Sequence, residues 1–276
     1  IFGSDAARFA VTEQLSRVFG QPVAAEAASA RVLGGVSLTL RNVTVGGATP
    51  MRVEVVTVQT SLLALITRRF DHATITFDGL RAALPLPPLR FEGEGGGAYR
   101  IAAPARLVLR DARLTTRGRT IGIDVTIAPH YGKAATIASG RLTGDDMRAE
   151  VSGEISDVST WSGAVRVAAD SLDGDVLMSA AWDLLERRDP QGTAVTPAPP
   201  LIITLDARRM TLGALPVSDV KGRAEVHPEV AAFDPVSFAV LGGRYQGQAT
   251  LRFEGGEPSV RWYGDLSTVN LAGLTA

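Results

Sequence analysis

The sequence predicts a mainly β protein, built as a long antiparallel meander, and three observations carry that prediction. Apolar and polar residues alternate with a period of two through most of the chain. Strand-sized units recur at roughly ten-residue intervals with Gly or Asp at the joins. A helical period is convincing only near the N-terminus. Alternation marks strands with one apolar and one wet face, and such a face must be covered by a second sheet, by helices or by a ligand. A single sheet curled into an open groove, taco-like, satisfies the pattern, and so do two packed sheets.

The first element is an amphipathic helix over residues 4–19. Ser4 or Asp5 caps it, Val11, Leu15, Val18 and Phe19 form its apolar stripe, and Gly20 followed by Pro22 ends it. The stripe reads equally as a plug at the end of a groove or at a membrane and as an ordinary helix lying on a sheet. Next, Val36, Leu38 and Leu40 alternate with Ser37, Thr39 and Arg41, while Val43 and Val45 continue on the other parity. Val53 and Val55 likewise give way to Val56 and Val58. Each change of parity flips the buried face unless a bulge absorbs it. Residues 61–69, SLLALITRR, read as a short helical turn, and Ile75 and Phe77 begin another strand.

Pro85, Pro87 and Pro88 with the glycines of FEGEGGGAYR read as a connection. Strands resume at Leu107 and Leu109. Ile121, Ile123, Val125 and Ile127 give the cleanest alternation in the chain, followed by Met147, Ala149 and Val151 and then Val165 and Val167. WDLLERR, residues 182–188, reads as one helical turn, and the four prolines of residues 189–200 as an exposed loop or linker. Ile203 and Leu205 open the last run of strands. Phe238 and Val240, then Tyr245, Ala249, Leu251 and Phe253, then Val260, Trp262 and Leu266 mark its final members, divided by Leu241-Gly242-Gly243 and Gly255-Gly256. The chain thus divides into an N-terminal module (1–85), a middle meander (86–188), the linker (189–200) and a C-terminal β region (201–276).

Composition narrows the function. The net charge is −1, which disfavours nucleic acid as a partner, because binding it needs a clustered basic excess. The absence of cysteine removes disulfides, thiolate metal sites and cysteine nucleophiles. No apolar run reaches the roughly 18 residues of a spanning helix. The aromatic content of 6% is low for the girdles of an outer-membrane barrel.

Catalytic signals are weak. His72, His130 and His227 lie far apart with no second ligand at metal spacing, so no metal site is expected. Asp145, Asp146, Asp170, Asp173 and Asp175 suit hairpin turns better than calcium or glycosidase chemistry. There is no Gly-x-Ser-x-Gly elbow and no phosphate loop, and GEGGG at 93–97 signals flexibility. No cofactor is expected, and an enzyme is the minority reading. A carbohydrate-active β-enzyme would need paired carboxylates in a cleft.

Two stretches resemble the AsmA-like proteins of Gram-negative envelopes, which are related to TamB and YhdP and more distantly to chorein-type, bridge-like lipid transfer proteins. One is the C-terminal order of an apolar strand, a Gly-Gly-Arg turn, a strand opening on a further Gly, a Pro-containing turn, and a strand closing in Leu-x-x-Val-x-Leu-x-x-Leu (residues 233–274). The other is the N-terminal order helix, Gly-x-Pro-Val, strand, Leu-x-Asn-Val-x-Val, strand, Ser-Leu-Leu-x-Leu, strand. The resemblance implies a periplasmic protein held at the inner membrane by a helix preceding Ile1, and family members carry further strands beyond the position of Ala276, so it also implies a fragment. It further implies phospholipid acyl chains as cargo between inner and outer membranes, and outer-membrane assembly proteins as partners. The residues it places on the apolar groove face are Val36, Leu38, Leu40, Ile75 and Phe77, with Ile121, Ile123, Val125 and Ile127, and with Tyr245, Leu251 and Phe253. The alternative is a structural β-sandwich or envelope assembly scaffold that binds no lipid.

Overall fold

A computed structural model describes residues 8–9, 12–13, 15–16, 21–32, 35–46, 50–61, 73–84, 106–130, 134–157, 162–185, 200–227, 230–254 and 257–270. These form a mainly β structure, one open sheet whose strand order follows the sequence, with a single helix longer than a turn. The chain clusters into two compact units, residues 1–115 with 122–132 and residues 116–121 with 133–276.

The first unit carries β1 (Val23–Ala24), β2 (Ala27–Val32), β3 (Val36–Val45), β4 (Met51–Thr60), β5 (Thr74–Ala83), β6 (Arg106–Thr116) and most of β7 (Arg119–Pro129). β3, β4 and β5 pair antiparallel, β1 and β2 both pair with β3, and β5 pairs parallel with β6. A parallel step needs a crossover of a dozen or more residues. Residues 85–105, the stretch of prolines and glycines expected as a connection, lie between the two strands in sequence and outside the described residues.

In the second unit β8 (Ala135–Thr143), β9 (Arg148–Asp157) and β10 (Ser162–Asp173) are antiparallel neighbours. β10 pairs parallel with β11 (Leu201–Leu212), and residues 174–200 make the crossover, beginning with helix α1 (Gly174–Leu185). β12 (Leu215–His227), β13 (Val230–Val240), β14 (Gly243–Glu254) and β15 (Glu257–Ser267) complete an antiparallel run. α1 is longer than the single turn expected at 182–188. Asp173, expected in a hairpin turn, is instead its N-cap, with Oδ1 accepting from the N–H groups of Asp175 (2.9 Å) and Val176 (3.1 Å). Near its other end the buried Asp183 accepts hydrogen bonds from Thr116 Oγ1 and from Arg117 Nε (3.3 Å). Those bonds tie the tip of the β6–β7 hairpin to α1 and account for residues 116–121 belonging to this unit.

Most of the N-terminal helix expected at 4–19 lies outside the described residues. The described positions 8–9, 12–13 and 15–16 are helical, with Ser16 Oγ donating to Thr12 O (2.7 Å). Leu15 is buried against Leu40, Val43, Val45, Met51, Val53, Val56 and Ala82. The turn at 61–69 lies outside the described residues beyond Ser61, and the linker beyond Pro200.

The parity changes in β3 and β4 are resolved without a bulge. Asn42 (φ 50°), Gly79 (φ 69°) and Asp111 (φ 45°) stand in one line across the sheet, with Glu54 between the first two, and the register on either side is unbroken. Each strand changes its buried parity at this line, so neighbours stay in register and one face remains apolar on both sides of it. Asn, Asp and Gly are the residues that accept positive φ at least cost. The second unit has a related line, accompanied there by register shifts at Asp170 of β10 and at residues 219–220 of β12. Asp170 of β10, Arg208 of β11 and Asp219 of β12 (φ 51°) stand in line, and burial switches from Ala169 to Leu172, from Ala207 to Met210 and from Val217 to Val220.

Candidate functional site: the apolar faces

In the second unit three transverse rows of side chains share one face of the sheet, running from β8 to β15. The first row is Ala135, Ile155, Gly163, Leu201, Val226, Ala231, Leu251 and Val260. The second is Ile137, Gly153, Val165, Ile203, Ala224, Phe233, Ala249 and Trp262. The third is Gly140, Val151, Val167, Leu205, Gly222, Val236, Gly247 and Gly264. No polar side chain enters any of the three. The opposite face, by contrast, carries a row of Glu150, Ala168, Asp206, Lys221, Ser237, Gln246 and Asp265.

Register shifts hold the rows together where strict alternation fails, at Ala138-Ser139 of β8, at Ser156 of β9, and at Asp234-Pro235 of β13, where Gln248 Nε2 donates to Asp234 Oδ2 (3.0 Å). Beyond the rows, further shifts fall at Asp170 of β10 and at residues 219–220 of β12. The glycines give the strip furrows. At Gly153 a Cβ would come within 2.2 Å of Ala164 O, and at Gly163 within 2.2 Å of Glu154 O, so both strands close tightly there. Most of the larger strip side chains, including Val165, Val167, Ile203 and Leu205, are half-buried. Met178 of α1 packs against the buried pair Ala231 and Leu251, as do Val226 and Phe233, and covers that part of the strip.

The first unit has the same chemistry. Leu40, Val56, Phe77 and Leu109 form one row, and Leu38, Val58, Ile75 and Leu107 the next, with Val36 beyond them opposite Thr60. The other face of these strands carries Thr39, Thr57 and Thr76 in line. Five of the sequence-predicted groove residues, Val36, Leu38, Leu40, Ile75 and Phe77, therefore share one face. Leu40 is sealed there, while Val36, Leu38, Ile75 and Phe77 are half-buried.

The remaining predicted residues divide. Ile121 is buried, and Ile123, Val125 and Ile127 are half-buried along β7 but are not among the side chains packed on the Leu40 cluster. Leu251 belongs to the strip and is sealed beneath Met178. Tyr245 lies on the strip side, stacked on Phe238 (centroids 4.8 Å apart) and edge-on to Trp262 (6.3 Å), with its hydroxyl donating to Tyr263 O (3.1 Å). Phe253 stands opposite Pro258 in the ladder, and its side chain lies outside the described residues. Val165, Val167, Ile203, Leu205 and Phe233 belong to the strip without having been candidates. Their parity within each strand was the available signal.

The charged groups gather at the transverse lines. Arg81 donates to the backbone O of Asp111 (2.5 Å) and to its Oδ2 (2.9 Å), and also reaches Glu54 (3.4 Å). The hydrogen bond from Arg81, assisted by the charges of Arg81 and Arg113, holds the Asp111 carboxyl below its ordinary value of 3.8. At the second line Asp145, Asp146, Arg148, Asp170, Arg208 and Arg209 surround an open cleft of about 610 Å³, with Arg208 paired to Asp170 at 3.6 Å. These aspartates, singled out from sequence as turn residues, face as many arginines. Among the described residues no group of three His, Asp or Glu side chains is placed to hold a metal ion, and no helix is long and apolar enough to cross a membrane. No family model, curated protein or solved structure matches the chain.

Proposed function

We propose that this chain is an AsmA-like envelope protein that carries phospholipid acyl chains on the apolar face of its sheet, in transfer between inner and outer membranes and in outer-membrane assembly. The observation that supports this reading is the strip of three wholly apolar rows across eight hydrogen-bonded strands, most of whose larger side chains are half-buried. Each methylene moved from water onto such a face contributes roughly 0.8 kcal/mol, so a single acyl tail gains on the order of 10 kcal/mol. Because the strip offers neither hydrogen bonds nor charges, it grips tails without fixing their position, and a lipid slides along it. Anchoring at the inner membrane and residence in the periplasm belong to the same proposal.

Lipid extraction followed by mass spectrometry of the purified chain tests it. Parent protein should carry phospholipid, and Ile203→Asp or Val167→Asp should remove it while leaving the circular dichroism of the sheet intact. A parent chain free of lipid, or folded variants with undiminished lipid, would overturn the reading. The row of small buried side chains Ala149, Ala169, Ala207 and Val220 favours a second reading, a scaffold whose face is closed by close-packed protein. That reading predicts no bound lipid.

A further inference from the structure

β15 ends the strand order, and among the described residues only β14 pairs with it. Val260, Trp262 and Leu266 on its apolar side are 41%, 52% and 56% exposed, and Tyr263 on the other side is 64% exposed. Beyond Thr268 (φ 57°) the Asn270 N–H donates to Leu241 O (3.0 Å) at the β13–β14 turn. The carbonyl of Tyr263 faces Gly247 of β14. In an antiparallel ladder this directs the N–H and C=O groups of Val260, Trp262, Gly264 and Leu266 to the open edge. Natural edge strands are blunted by lysine, proline or inward charges. Here there is no lysine, and Pro258 stands near the beginning of the strand.

The residues along this edge, SVRWYGDLS at 259–267, complement themselves when the strand is reversed about Tyr263. Arg261 then stands opposite Asp265, Val260 opposite Leu266, Trp262 opposite Gly264, and Ser259 opposite Ser267. Opposite charges and apolar pairs directly across an antiparallel ladder stabilise it, and an aromatic ring over an edge glycine covers exposed backbone. The two groups with outward backbone nearest the centre, Trp262 and Gly264, would exchange hydrogen bonds, leaving the two Tyr263 residues as the non-hydrogen-bonded pair on the axis.

We propose that β15 pairs antiparallel with β15 of a second copy of this chain about a two-fold axis at Tyr263, joining two sheets edge to edge. The contact is isologous, so it closes as a dimer and does not propagate. A single pair of strands buries less than the roughly 1,200 Å² of a standard interface, so association is weak and depends on concentration.

Sedimentation velocity across a concentration series tests the pairing. The parent chain should show a reversible monomer–dimer equilibrium. Arg261→Asp and Asp265→Arg should each weaken dimerisation by about tenfold or more, since each sets like charges opposite one another twice, and the double exchange should restore it. The chain has no cysteine, so a single introduced thiol reports the register independently of the charge variants. Tyr263→Cys places two thiols about 4.5 Å apart between Cα atoms, within disulfide range, and should yield a covalent dimer on mild oxidation. Arg261→Cys separates them by roughly 13 Å along the strands and should not. A chain that stays monomeric at every concentration overturns the proposal. So does a double exchange that fails to restore pairing, or an Arg261→Cys chain that cross-links as readily as Tyr263→Cys.

Discussion

Asp219 offers a direct test of how the sheet changes its buried parity, because the positive-φ line and a regular strand predict opposite orders of stability at that position. It lies within β12, between β11 and β13, exposed, with φ 51°. In a regular strand Asp219→Val would stabilise and Asp219→Gly would destabilise, on a β-propensity scale that spans about 1 kcal/mol. At positive φ an L-residue bears roughly 1–2 kcal/mol of strain, less for Asp and most for a side chain branched at Cβ, while Gly bears none. The expected order is therefore Gly, then Asp, then Val, with a gap of about 2–3 kcal/mol between the Gly and Val variants once Val's strain and Gly's relief are combined. Urea unfolding followed by circular dichroism measures it, and an unchanged m-value ensures that the comparison is of stability alone. A Val variant as stable as the Gly variant would refute the argument that a left-handed residue, seated at the β12–β13 register shift, turns the face over.

Three further outcomes follow from the same geometry. Gly153→Ala or Gly163→Ala should cost on the order of 3 kcal/mol or more, because the new Cβ meets a neighbouring strand's carbonyl and not a flexible side chain; thermal melts and soluble yield report it. Thr116→Val leaves the buried Asp183 carboxylate short of a donor and should lower stability by about 2–3 kcal/mol, with loss of helical signal from α1. The folded-state pKa of Asp111 is depressed, so its contribution is present above the ordinary value of 3.8 and is lost as pH falls through the folded value. Asp111→Asn should therefore be less stable than the parent at neutral pH, and the difference should shrink with added salt and vanish in acid, as pH-dependent unfolding will show.

The strands and their wet and dry faces were legible because alternation is local. Leu38 and Leu40 announced their face within five residues, and Ile75 and Phe77 did the same on β5. The parity breaks at Asn42 and between Val53 and Val56 were also visible. Their cause was not, since a line of positive φ shared by neighbouring strands depends on register, and register joins residues far apart in sequence. The two parallel joins were equally silent. Proline and glycine near 85–97 and 189–200 said that the chain leaves the sheet, but not at which end it returns. α1 exceeds the single turn expected at 182–188 because Val176, Leu177 and Met178 follow a Gly-Asp pair that also suits a turn, and Asp173 suits a hairpin as well as it suits a helix cap. Among the groove candidates, Leu251 met its parity expectation, but the cover that Met178 places over it comes from another part of the chain.

Every strand of this sheet bonds only to strands close to it in sequence. Such a ladder needs no closing pair, and its energy accumulates step by step as in solenoid repeats. Hairpins inserted or lost at a turn would lengthen or shorten the run while leaving distant contacts intact, so evolution can adjust the reach of such a protein without redesigning a core.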